Sequence, residues 1–221
     1  MKDKKKILFN VFIFLFYFIY QLLCILVVDL LKIDLNNNYE KCIYLLITNI
    51  IYLIFLIFVY RKELKDDISK LKLKSIIKYI PIYIIGILLM WISSYIISNI
   101  TGIETSQNES LVRQYIKILP IYMSFSTVIY APIVEEITFR KTFRNVIKDN
   151  ILFVILSGLV FGSVHISITS NSFNDFLMII PYIIMGIDFS YIYYKSNNIF
   201  TTITLHSVHN LILLIVQFIG G

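Results

Sequence analysis

The sequence predicts an all-α fold: a polytopic membrane helical bundle of about seven transmembrane helices with a cytoplasmic N-terminus. Three observations predict it. Of 221 residues, 58% are hydrophobic and only 15% charged, against about 25% charged in a soluble domain. The apolar residues gather in runs near the roughly 20 residues that cross a hydrocarbon core. The basic residues gather between those runs. A mean hydropathy of +0.79 excludes a disordered chain and an ordinary soluble enzyme, which could not hide this much apolar surface.

The first run, residues 7–28, follows Lys2, Lys4, Lys5 and Lys6. It is longer than a signal-peptide core and shows no small-residue cleavage site, so an uncleaved spanning helix is expected. The further runs are 42–59, 76–97 (with Pro81 near its start), 118–139 (through Pro120 and Pro132), 151–168, 176–194 and 199–219. No barrel-type alternation, tandem repeat or Gly/Ser linker occurs, so residues 1–116 (about three helices) and 117–215 read as one integrated membrane domain. With the N-terminus inside, sixteen basic residues fall on the cytoplasmic side and Lys32, Lys41, Arg113 and Lys117 outside, the asymmetry that orients helical membrane proteins. The net charge of +6 then reads as contact with the lipid bilayer and its anionic headgroups, with no nucleic acid as partner. Cys24 and Cys42 make neither a disulfide framework nor a metal motif. Ile219-Gly220-Gly221 carries no prenylation box, so the chain is not expected to be its own lipid substrate.

Polar residues inside these runs need partners, water or a function, because an ionised side chain at mid-bilayer costs at least ~2.5–3.5 kcal/mol. Glu135-Glu136-Ile137-Thr138-Phe139-Arg140 is the sharpest cluster. Glu136 and Arg140 are i, i+4 neighbours that can pair, while Glu135 points about 100° away and is left to face a cavity. The competing reading is an interfacial charge cluster at a helix end. Phe161-Gly162-Ser163-Val164-His165 comes next. A lone His is usually a packing residue, but if the chain turns near Asp149-Asn150, Glu135 and His165 both lie ~21–23 Å from the turn at about 1.5 Å per residue. In His206-Ser207-Val208-His209-Asn210, His206 and Asn210 share a helix face, and ordinary interhelical hydrogen bonding is the competing reading. Asp188 could snorkel, pair with Lys195 or line the cavity.

Glu135, His165, His206 and Asn210 form a hydrolytic set. A carboxylate beside an imidazole can hold and deprotonate water, and a His with an Asn amide can donate to an oxyanion. No serine elbow or Cys–His pair offers a covalent route, so an activated water is favoured. The rival is a metal site: Glu135, His165 and His206 would suffice for catalytic Zn²⁺ with water as fourth ligand, although no HExxH occurs.

At these residues the chain resembles the CAAX prenyl protease and bacteriocin-processing family of intramembrane proteases, often called CPBP or Abi proteins. The family pattern is EExxxR, FxxxH and HxxxN or HxxxD on successive helices. Here it stands as Glu135-Glu136…Arg140, Phe161…His165 and His206…Asn210. The resemblance covers roughly residues 117–215, which it makes a CAAX-protease-like catalytic core. It implies an intramembrane endopeptidase: Glu135 with His165 activating water, His206 and Asn210 stabilising the oxyanion, Glu136, Arg140 and Phe161 as structural support. The family has been called both metalloprotease and metal-independent glutamate protease. Asn210 suits an oxyanion donor better than a zinc ligand, so no cofactor is favoured. Many members have Gly after the motif Arg where this chain has Lys141, a departure that bears on local packing or substrate access. Richness in Ile, Lys and Asn points to an AT-rich bacterial genome, hence a bacterial plasma membrane and a membrane-associated or bacteriocin-type peptide or protein as substrate. The alternative is a non-catalytic bacteriocin self-immunity or membrane scaffold protein.

Overall fold

The computed structural model describes residues 2–165 and 173–220. Among them every regular element is helical. Helix α1 (Lys2–Leu31), α2 (Asn38–Lys70) and α3 (Leu73–Thr101) come first. Asn37 caps α2 by accepting from the Tyr39 and Glu40 N–H groups, and Gly102 ends α3 at φ 73°, where a Cβ would be strained. Helix α4 (Gln107–Ile118) is a short amphipathic element for which no apolar run prepares, capped by Ser106.

One continuous helical run then covers 120–146. It comprises α5 (Pro120–Phe125), a π-helical turn (Ser126–Tyr130), α6 (Ala131–Glu135), a second π-helical turn (Glu136–Lys141) and α7 (Thr142–Val146). Such π turns are rare and gather at functional sites. After a turn capped by Asp149 come α8 (Asn150–Ser163), α9 (Phe173–Leu177), α10 (Ile180–Ser196) and α11 (Ile199–Gly220).

Among the described residues four helices are long and apolar enough to cross a membrane: α1, α2, α3 and α11. Their apolar windows are only 6%, 11%, 17% and 39% buried inside the protein. This much outward apolar surface needs lipid as solvent, and the chain is an integral membrane protein. The inner helices are shorter or interrupted because they pack on protein. The expected run 118–139 continues to Val146, since Arg140 and Lys141 are paired inside the molecule rather than marking a membrane edge. The run 151–168 is helical only to Ser163, and residues 166–168 lie outside the described residues. The run 176–194 divides, because Pro181 opens a new helix, α10.

Helices α8 and α10 meet at small residues. A Cβ on Gly162 would lie 2.9 Å from the Ile183 backbone nitrogen, and one on Gly186 would lie 2.7 Å from the Gly158 carbonyl oxygen. Only glycine allows this approach. Ser157 locks the contact: its hydroxyl donates to the Phe139 carbonyl at 2.6 Å and lies 2.8 Å from Ser190 Oγ. The 120–146 run, α8 and α10 are thus fixed together behind Arg140 and beneath Phe161.

Candidate active site

Glu135 and Glu136 stand at the junction between α6 and the second π turn. Glu136 and Arg140 are both fully buried, and Glu136 Oε2 lies 3.3 Å from Arg140 Nε. The expected i, i+4 pair is therefore present. Arg140 has a second neighbour: its guanidinium carbon sits 4.4 Å from the centre of the Phe161 ring, a cation–π contact that is strongest where water is excluded. Phe161 also offers its carbonyl to His165 Nδ1 at 2.8 Å. One residue of the FxxxH motif thus covers the guanidinium and holds the imidazole.

His206 occupies the centre. Its Nδ1 lies 3.0 Å from Glu136 Oε1, and its Nε2 lies 3.8 Å from Glu135 Oε2. Glu136 can only accept, so Nδ1 carries the ring proton and Nε2 faces Glu135. The ring stacks on Phe189 at 5.0 Å between centroids. Of the two glutamates, Glu135 keeps 17% of its side chain exposed while Glu136 keeps none. One carboxylate is engaged and the other is accessible, as the helical geometry predicts.

His165 lies in the turn just after α8, stacked on Tyr182 with centroids 4.6 Å apart. It is within electrostatic range of Glu135, His206 and Arg140, so all three motifs meet at one place. The ion-pair contact to Glu135 comes from His206, however. Asn210 is near the site but tied back, its Nδ2 donating to the Thr127 carbonyl of the first π turn at 2.8 Å. His209 turns away to α3, with Nδ1 3.2 Å from the Tyr83 hydroxyl.

Asp188 does not pair with Lys195, whose ammonium lies over the Tyr194 ring at 4.9 Å. It faces α3 instead, so tightly that a Cβ on Gly86 would lie 2.7 Å from its Oδ2. It remains within electrostatic range of Arg140. Lys141, the departure from the resembled pattern, is buried and pairs with Asp67 of α2. Its consequence is packing, not blockage of the glutamates. Among the described residues no three His, Cys, Asp or Glu side chains converge as a metal-holding group. Both imidazole Nδ1 atoms are engaged, by the Phe161 carbonyl and by Glu136, which leaves Nε2 of His165 and of His206 as the ring atoms that can meet a water or another ligand.

Sequence reasoning missed Tyr182, Phe189 and Thr127. With 16 Tyr and 17 Phe in the chain, no aromatic stands out before the helices are packed. A backbone carbonyl such as that of Thr127 leaves no sequence signal at all.

Comparison with known proteins places the motifs. Residues 117–212 match the family model described as Type II CAAX prenyl endopeptidase Rce1-like. "Putative membrane peptidase YdiL" of Bacillus subtilis is 29% identical over 115 residues, 51% of this chain and 43% of its own length. "Membrane-embedded CAAX protease MroQ" of Staphylococcus aureus is 29% identical over 166 residues, 68% of this chain and 64% of its own. An uncharacterized protein of Mycoplasma capricolum is 29% identical over 194 residues, 80% of this chain and 56% of its own. The chain spans about half the length of these curated relatives. No solved structure matches it. The resemblance to CAAX prenyl proteases read from the three motifs stands, over the segment that carries them.

Proposed function

We propose that this chain is an intramembrane endopeptidase of the CAAX-protease type, cutting a peptide bond in a membrane-associated peptide or protein. The observation that carries this reading is one imidazole, His206, set between a buried and an accessible glutamate. Glu135 is the base. The 3.8 Å between its Oε2 and His206 Nε2 suits one water bonded to both at about 2.8 Å. His165 donates Nδ1–H to the Phe161 carbonyl and so keeps Nε2 as an acceptor, an alternative to His206 Nε2 for the water's second hydrogen.

Glu135 takes a proton from the water as its oxygen attacks the peptide carbonyl carbon. That proton passes to His206 Nε2, and the imidazolium, balanced by Glu136, donates to the oxyanion. Asn210 supplies the second donor, for which its amide must exchange Thr127 for the substrate oxygen. Collapse breaks the C–N bond, and the leaving nitrogen takes the proton back. Glu136, Arg140 and Phe161 hold the frame. No metal is required in this scheme, and full activity after exhaustive chelation is its expected signature.

The proposal includes seven spans, the helices from 120–146, α8 and α10 joining the four long ones, with the N-terminus cytoplasmic and residues 117–215 as the catalytic core. With the buried Arg140 and Lys141 set aside, fourteen of the sixteen basic residues assigned to the cytoplasmic side remain against four outside, and that asymmetry supports it. A bacterial plasma membrane is the setting, and a bacteriocin-type peptide is one substrate of suitable chemistry.

The test compares protein and peptide termini by mass spectrometry in cells carrying the wild type or Glu135→Gln. New termini dependent on Glu135 are expected. Identical lists at equal protein levels would overturn the protease reading and leave a binding or immunity role.

A further inference from the structure

The pattern-breaking Lys141 leads to a clamp that the mechanism has not used. The buried stripe of α2 runs Tyr52, Leu56, Tyr60, Leu64 and ends at Asp67. The Asp67 carboxylate pairs with the Lys141 ammonium, which also lies 3.9 Å from Glu63 Oε2. The Asp67 backbone carbonyl accepts from Asn198 Nδ2 at 2.6 Å. Lys141 closes the π turn that Glu136 opens. Asn198 Oδ1 accepts from Phe200 N–H at 3.0 Å and so caps the start of α11, the helix that carries His206. One residue of α2 therefore holds the two helices between which His206 meets Glu135 and Glu136.

Apolar packing alone does not set how far these helices slide past each other, whereas an ion pair and an amide bond are directional. A slide of one residue moves a side chain about 1.5 Å, and about 1 Å of misplacement can cost roughly a hundredfold in rate. We propose that Asp67 is a positioning residue, acting through Lys141 and Asn198 to fix the depth of the glutamate-bearing helix against α11. Its activity consequence rests on the proteolytic reading, while its geometric consequence does not.

The test uses the full chain with Cys24 and Cys42 changed to Ser and spin labels at Ile129 and Val208, exposed positions on the two helices (47% and 42%). The wild type is expected to give one narrow inter-label distance. Asp67→Asn and Lys141→Met are expected to broaden or shift it and to slow Glu135-dependent cleavage by at least about tenfold. The exchange of Asp67→Lys with Lys141→Asp, and Lys141→Arg alone, are expected to restore both. An unchanged distance in Lys141→Met, or Lys141→Arg behaving like Lys141→Met, overturns the clamp. A distance that responds as expected in a chain without Glu135-dependent cleavage would remove the protease reading and leave the clamp standing.

Discussion

Along α1 only 6% of the apolar window is buried within the protein, and along α3 only 17%. Along 136–141 all six residues are buried, although Glu136, Thr138, Arg140 and Lys141 are polar or charged. The first region is solvated by lipid, and almost any apolar side chain serves there. The second is solvated by the protein itself, so each polar group needs a particular partner at a particular place. Tolerance to substitution should therefore differ sharply between two stretches of the same membrane protein.

The largest effect should come from Glu135→Gln, which removes the base but keeps the shape. Cleavage is expected to fall by about 10²–10⁴-fold, with the thermal unfolding temperature in detergent unchanged. Next is Arg140→Met. It leaves Glu136 without its buried guanidinium counter-charge, a loss of about 3–5 kcal/mol. The protein should fail to accumulate in membranes on immunoblots, and an unaffected level would break the contrast drawn above. Gly162→Ala should cost about 1–3 kcal/mol by forcing α8 from α10, read as a lower unfolding temperature. Ile92→Leu on the lipid-facing side of α3, where Ile92 is 54% exposed, should stay within about 0.5 kcal/mol. A larger change there would show that α3 is covered by protein rather than lipid.

Some of the inner arrangement was legible in advance. The Glu136–Arg140 pair follows from helical spacing, and the accessible Glu135 follows from the angle between adjacent residues. The meeting of the first two motifs, at Glu135 and His165, was approached through matched depths. The position of His206 between both glutamates was not legible. It depends on how α11 is rotated and at what height it sits, and that is decided by Asn198, Asp67 and Phe189 from three other segments. The π turns were also hidden, because Ser126–Tyr130 and Glu136–Lys141 read in sequence like ordinary α-helix. Helix α4 has a polar composition that reads as a loop until its cap and neighbours are seen.

Composition and run length by themselves determined that this chain is helical and lives in a membrane, because hydrocarbon demands internal backbone hydrogen bonds and long apolar stretches. Motif spacing determined which side chains share a helix face. Only the tertiary structure decided which imidazole stands beside which carboxylate, why Lys141 is tolerated, and where Asp188 points. Those facts depend on contacts between residues as far apart as Asp67 and Asn198, and sequence-local periodicity carries no information about them.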